Sequence, residues 1–354
     1  MEEIIANLHM HTSYSDGTGN HSEIAHAATN AGLDVVIVTD HNVLVNGPED
    51  YYTFNGKRVL LLVGEEIHDQ ARLPQKSHLL VLGAGIELAP LAGDLNRLLE
   101  AVRRAGGMAF IAHPNDPAAP AVNEDDLSWE DWQIKGLAGI EIWNAMSEFK
   151  SLLKTKLHAL YYAYNPTLIA HGPFPETLQN WDKQLLTGQR LMAIGGSDAH
   201  ALSVRLGPLR RTIFPYEFHF RSINTHILID RPLEGNLEND RRTVLDALAQ
   251  GRSFVANDML APARGFRFIA HGFDRTAMPG EEITAERGIT FQIRLPAQAA
   301  CQLIRNGKVV QIWERQDLCT FISTDPGVYR VEAFLNYRGI RRGWIFSNPI
   351  FIQN

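Results

Sequence analysis

Residues 4–11 read Ile4-Ile5-Ala6-Asn7-Leu8-His9-Met10-His11, an apolar run that closes on two histidines two positions apart. Residues i and i+2 of a strand point to the same side, so His9 and His11 are placed to grip one ion at the end of a strand. The motif recurs along the chain. Val35-Val36-Ile37-Val38 runs into Thr39-Asp40-His41-Asn42, and an apolar run at 59–63 leads into Gly64-Glu65-Glu66-Ile67. A strand pattern at 78–82 opens on His78, and one at 108–112 closes on His113-Pro114, where the proline stops the strand. Ala193-Ile194-Gly195-Gly196 then leads into Ser197-Asp198-Ala199-His200, a second i, i+2 pair. Asp16 follows the first strand in the turn sequence Tyr14-Ser15-Asp16-Gly17.

Between these runs, and a further one at 139–143, lie helical patterns at 22–31, 91–105, 151–164 and 178–187. Strand–helix alternation predicts an α/β fold with a largely parallel sheet, open or closed. Seven strands suit a distorted barrel better than the regular eightfold one. Chemistry in such folds gathers at the carboxyl ends of parallel strands. Burying so many imidazoles and carboxylates unpaired at one rim would cost several kcal/mol. Bound Zn, Mn or Fe cations remove that cost, because neutral imidazole and carboxylate are their ligands.

Beyond a helix at 240–250, the pattern changes. From about residue 261 the chain offers short β-type segments separated by turns, with Asn306-Gly307 marking a hairpin. The expected organisation is a metal-binding domain over 1–260 and a small all-β sandwich over 261–354. A length of 354 residues suits such a pair. Cys301 and Cys319 are the sole cysteines, so no disulfide framework organises the fold. The net charge of -7 is small for this length and no basic run occurs, which argues against a general nucleic-acid surface. With no signal-like start and no long apolar stretch, a cytoplasmic location and no membrane span are expected.

Together these elements resemble the PHP superfamily, named for polymerase and histidinol phosphatase. The matching motifs are His9/His11/Asp16, Thr39-Asp40-His41, Gly64-Glu65-Glu66, Ala112-His113-Pro114 and Gly196-Ser197-Asp198-Ala199-His200, within residues 1 to 260. The appended β region, ending Trp344-Ile345-Phe346-Ser347-Asn348-Pro349, is most similar to the carbaryl hydrolase-like branch. The resemblance implies a distorted (β/α)7 barrel with two or three divalent ions (Mn, Zn or Fe). It assigns His9, His11, Glu66 and Asp198 to one metal, and Glu66, His78 and His113 to a second. Asp16, His41 and His200 take a third. Glu65 competes with Glu66 for the bridging position, but the G-x-E spacing favours Glu66. Some relatives carry His where Asp16 stands, and a carboxylate there bears on which metal the third site prefers.

The expected chemistry is hydrolysis by a hydroxide shared between metals. Asp198 is the candidate proton acceptor, with His200 or His41 serving the leaving group. Arg205 is a candidate for an anionic group at the rim, or else a solvated loop residue. Asn42 and Asn144 are candidates for support of the ligands or for helix caps, and Asn42 also for contact with the substrate. The leading expectation is a phosphoesterase acting on a small phosphorylated metabolite, a nucleotide or an oligonucleotide end. The alternative is a carboxylic-ester or carbamate hydrolase, favoured by an aromatic neighbourhood of Trp143, Phe149, Phe174 and Trp181. A third reading is a metal-stabilised binding scaffold without activity. His68 and His171 are among the histidines that fit no motif. The oligomeric state is not legible in the sequence.

Overall fold

The computed structural model describes residues 1–206 and 209–354, with side chains for 1–203 and 212–354. Strand β1 (Glu2–Asn7) is followed by helix α1 (His21–Ala31). Asn20 and Glu23 close a capping box at the start of α1, and Gly32 ends it at a φ of 84°. Next come β2 (Val35–His41), β3 (Asp50–Phe54), β4 (Lys57–Ile67), β5 (Leu79–Leu82), α2 (Leu95–Arg104), β6 (Met108–Ile111) and β7 (Gly139–Asn144). Helices α3 (Ala145–Ser151), α4 (Lys156–Tyr164) and α5 (Pro175–Leu186) lead to β8 (Met192–Gly196). The helical stretch expected at 151–164 thus falls into two pieces. Asn144 caps α3 through Ser147 N, and Thr155 starts α4 afresh by accepting from His158 N.

A hairpin of β9 (Ser203–Leu206) and β10 (Leu209–Thr212) leads to the short α6 (Tyr216–Phe220). The segment from β11 (Ile223–Ile229) through α7 (Leu237–Ala249) reaches β12 (Ser253–Asn257). Inward residues of the first strands, including Ile4, Ala6, Val35, Leu60, Leu80 and Phe110, share one core. No helix among the described residues is long and apolar enough to cross a membrane.

The sheet is mixed rather than largely parallel, which corrects the expectation. Parallel pairs join β1 to β2, β2 to β4, β6 to β7 and β7 to β8. Strand β5 runs antiparallel to both neighbours, β4 and β6. The connection from Ile67 to Leu79 contains no helix, so it lacks the crossover that a parallel pair needs. The reversal matters for the site. A residue just before β5 lies on the same rim as the C-terminal residues of β2 and β4 and the residues after β6, so His78 joins His41, Glu66 and His113. Past β8, His11 N donates to Ala199 O at 3.0 Å and Asp198 N donates to His9 O at 2.9 Å. These bonds bring the last motif against the first.

From β13 (Arg267–His271) onward every regular element is a strand: β14 (Thr276–Ala277), β15 (Glu282–Thr284), β16 (Ile289–Arg305), β17 (Lys308–Ser323), β18 (Gly327–Tyr337), β19 (Ile340–Ser347) and β20 (Ile350–Gln353). Asn306 and Gly307 turn the β16–β17 hairpin with both φ values positive, 51° and 75°, as a tight primed turn requires. Pro296 falls where the β16–β17 register shifts, the tolerated place for a residue without an N–H. Cys301 and Cys319 are free and buried. The sheet is continuous across this region, since β12 pairs with β11 on one side and β19 on the other.

Candidate metal centre

Glu66 organises the site. It is the penultimate residue of β4, inaccessible to solvent, and its two oxygens face different histidines. Oε2 lies 2.9 Å from His9 Nε2 and 3.2 Å from His11 Nε2. Oε1 lies 2.7 Å from His78 Nδ1 and 2.8 Å from His113 Nε2. Asp198 Oδ1 lies 3.0 Å from His11 Nε2 and 3.5 Å from His9 Nε2. On the outer side, Asp16 Oδ1 is 3.2 Å from His200 Nε2, and its Oδ2 is 3.6 Å from His41 Nε2.

All nine candidate ligands therefore converge. Donor atoms fall into three groups of metal-site dimensions: His9, His11, Glu66 and Asp198; His41, Glu66 and His78; and His11, Asp16, His41 and His200. His41 reaches two of these groups, and so does His11. Glu65 faces away and accepts from Leu88 N at 3.1 Å. Burial and the neighbouring Glu87 carboxyl push its pKa up to about 8.

The donor set fits divalent cations on two grounds. Nδ1 of His11, His41 and His113 is buried without a hydrogen-bond partner. Five imidazoles also crowd one carboxylate, an arrangement that protons alone serve poorly. Burial disfavours the charged form of His9, but Asp198, Glu66 and Glu141 outweigh it and hold its pKa well above the usual value. His11 is raised to about 10 and His113 to about 9, again against burial, by their carboxylate partners. For His41 burial wins, and its pKa falls to about 3. Glu66 and Asp198 are held well below the carboxylate range: burial works against this, but the surrounding histidines prevail.

Support for the ligands comes from residues that the motifs do not include. Glu141 on β7 lies 3.1 Å from His9 Nδ1, and it accepts from His113 N and Asn144 Nδ2, each at 2.9 Å. One carboxylate thus orients ligands from two strands. The signal in the sequence was a charged residue between Ile140 and Ile142 in a strand buried along its whole length. Asn144 caps α3 and also reaches Asp198 Oδ2 at 3.3 Å, so both of its expected roles are present. Asp40 accepts from Thr12 N, Thr12 Oγ1 and Ser15 Oγ at 2.6–2.7 Å, holding the turn that carries Asp16. Tyr216 donates to His11 O at 2.7 Å and secures the same turn. Three rim residues sit at positive φ: Asn42 (52°), His113 (24°) and Asp198 (53°). Such backbone costs about 1–3 kcal/mol per residue and concentrates at functional sites.

A cavity of about 650 Å³ opens from the cluster, with Asp16, His41, His78, His113, Asp198 and His200 at its floor. Asn42 is not among its lining residues. The carboxamide oxygen of Asn42 accepts from His68 N at 3.0 Å, which places it behind the ligands. Of the four aromatic residues expected near the site, Phe149 alone lines the cavity. Trp143 packs edge-on against Phe346, and Trp181 donates to Leu191 O, so both belong to the core. The side chain of Arg205 lies outside the described residues. His68 lies tilted against His78 at 4.3 Å between ring centroids, and burial lowers its pKa to about 4.

Residues 7–170 match the family model of the PHP domain. That stretch holds His9, His11, Asp16, His41, Glu66, His78 and His113, seven of the nine candidate ligands. An uncharacterized protein of Methanocaldococcus jannaschii is 25% identical over 151 residues, 40% of this chain and 81% of that protein. Among solved structures, the chain is similar to a two-domain protein from Bacteroides vulgatus containing a predicted PHP-like metal-dependent phosphoesterase. The match has 17% identity and a TM-score of 0.44, and covers 98% of this chain and 95% of the other. It is also similar to an amidohydrolase from Chromobacterium violaceum, at 14% identity and a TM-score of 0.30 over 60% of this chain and 92% of that one.

Proposed function

We propose that this protein is a phosphoesterase of small phosphorylated molecules, working with two or three Mn, Zn or Fe ions. In this reading residues 1–260 form a distorted (β/α)7 barrel and 261–354 a second, sandwich domain. The observation that carries the proposal is the division of Glu66 between two histidine pairs, so that one carboxylate would serve two cation sites. His9, His11 and Asp198 complete one site, and His78 and His113 the second. Asp16, His41 and His200 would hold a third.

Bound cations at these positions would supply Lewis acidity and lower the pKa of water towards neutrality. The chain's own residues do the rest. Glu141 fixes the His9 ring, and Asn144 fixes Asp198. Asp198 lines the cavity, and its Oδ2 accepts the proton of the attacking water. His41 and His200, on the cavity floor, stand next to the leaving group.

A carboxylic-ester or carbamate substrate is the second reading, favoured by the apolar character of the cavity wall. Protein reconstituted with each metal and assayed on phosphomonoesters, phosphodiesters and aryl carbamates separates the two. Phosphate release supports the first reading. Carbamate cleavage without phosphate release replaces it with the second.

A further inference from the structure

The stretch between β4 and β5 carries the candidate ligand His78 but has no regular structure, so contacts other than a ladder must hold it. His78 Nε2 lies 2.7 Å from Gln75 O. A carbonyl accepts and cannot donate, so Nε2 carries the proton and Nδ1 keeps its lone pair on the side of Glu66 Oε1. The loop is tied in turn to residues 126–131. Ser77, next to His78 and 3% exposed, donates through Oγ to Asp131 Oδ2 and accepts from Glu130 N at 3.2 Å. Arg72 spans the same gap, with Nη1 3.1 Å from Asp131 Oδ2 and Nη2 2.6 Å from Glu130 Oε2. Lys76 Nζ lies 2.6 Å from Glu130 Oε1. The other edge of 126–131 is laced to the residues that follow His113. Leu127 N donates to Asp116 O and Trp129 N to Pro114 O, each at 3.0 Å, and Asp116 N donates to Ser128 Oγ at 2.9 Å. Buried Lys150 adds a stitch by donating to both Asp116 Oδ2 and Asp125 O. Trp129 roots the segment in the core beneath.

We propose that residues 126–131 are a strap that sets His78 and His113 at a fixed spacing about Glu66 Oε1, with Ser77 and Asp131 as its positioning residues. The inference rests on the reading that Glu66 serves two cations, and it concerns the second site alone. The first site has its own support, since Asp198 N donates to His9 O and Asn144 reaches Asp198. Within the strap the contacts are unequal. The pairs of Glu130 with Arg72 and Lys76 lie towards solvent, where such pairs are worth little. The bond from Ser77 to Asp131 sits at the buried end and fixes the backbone beside His78 itself.

The test reads each metal equivalent without turnover. Metal-free full-length protein is titrated with Zn, and separately with Mn, in competition with a chromophoric chelator. His78→Ala identifies the second site as the equivalent that it deletes. Asp131→Ala and Ser77→Ala are expected to weaken that same equivalent by about tenfold or more and to leave the others as in wild type. Asp131→Asn keeps an acceptor for Ser77 and Arg72 and should restore most of the loss. The Asp131 side chain is 39% exposed, so its substitution spares the core, and the Tm of the metal-free variants checks this. A second equivalent unchanged in both alanine variants, or an equal loss at every equivalent, overturns the inference while the two-cation reading stands. Wild-type protein that takes up fewer than two equivalents sinks that reading, and the role of the strap with it.

Discussion

Glu141 Oε1 lies 3.1 Å from Nδ1 of His9, the ring nitrogen opposite the one that faces Glu66. The carboxylate fixes both the tautomer and the tilt of the ring, so His9 presents Nε2 to the metal position. Glu141→Ala is expected to lower metal affinity by about 10- to 100-fold, the usual effect of losing such a partner. Competition with a chromophoric chelator measures it. Affinity equal to wild type would show that Glu141 does not orient the ligand.

Gly196 leaves the space that this pair needs. A Cβ at this position would lie 2.7 Å from Glu141 Oε1 and 2.7 Å from His9 Cβ. The strand cannot easily retreat, because Gly196 is in register with Asn144 on β7. Gly196→Ala should destabilise the protein by about 1–3 kcal/mol through overpacking. It should also reduce bound metal, which denaturant titration and elemental analysis report separately. Unchanged values in both would contradict the placement of Glu141.

Much of this centre is legible in the sequence because its ligands lie at strand ends, where His9, His11, His41, Glu66, His113, Asp198 and His200 interrupt apolar runs. The turn chemistry of Asn306-Gly307 is equally local and equally clear. Glu141 and Asp40 are harder to read, since their partners come from elsewhere in the sequence: Glu141 reaches across 132 residues to His9. The direction of β5 is also obscure, because short apolar runs look alike in either orientation. Strand β11 (Ile223–Ile229) escapes the pattern because Asn224, Thr225 and His226 break its apolar run. Those polar residues are buried and paired, with Asn224 on Asn7 and His226 on Glu3.

His226 offers a pH test away from the metals. It is fully buried between Glu3 Oε1 at 2.8 Å and Asp258 Oδ2 at 3.0 Å. Burial opposes its charge, but the two carboxylates win and raise its pKa to about 9. A folded-state pKa above the unfolded value of ~6.5 stabilises the fold fully below that value. The contribution is lost as pH rises through about 9. His226→Ala removes the cation of half-buried Asp258 and one of the two cations on Glu3, which keeps Arg267, and should cost about 3 kcal/mol at pH 6. The gap in Tm between wild type and variant should narrow from pH 8 to 10. A gap independent of pH would contradict the charged pairing.

Loading the centre should release protons. His11 and His113, with pKa values of about 10 and about 9 in the metal-free protein, must lose their protons to bind a cation. Metal affinity should therefore rise with pH from 6 to 9. Calorimetry in buffers of different ionisation enthalpy counts the protons, and a heat that does not vary with buffer would refute the coupling.

The central claim is that Glu66 bridges two cations, and metal content tests it most directly. Wild-type protein reconstituted with Mn, Zn or Fe and desalted should retain at least two equivalents per chain, one for each donor group that shares Glu66. Glu66→Ala should lose both, and its hydrolytic turnover with them. Wild-type protein that retains no metal, or a Glu66→Ala variant that keeps the full complement, would contradict the account.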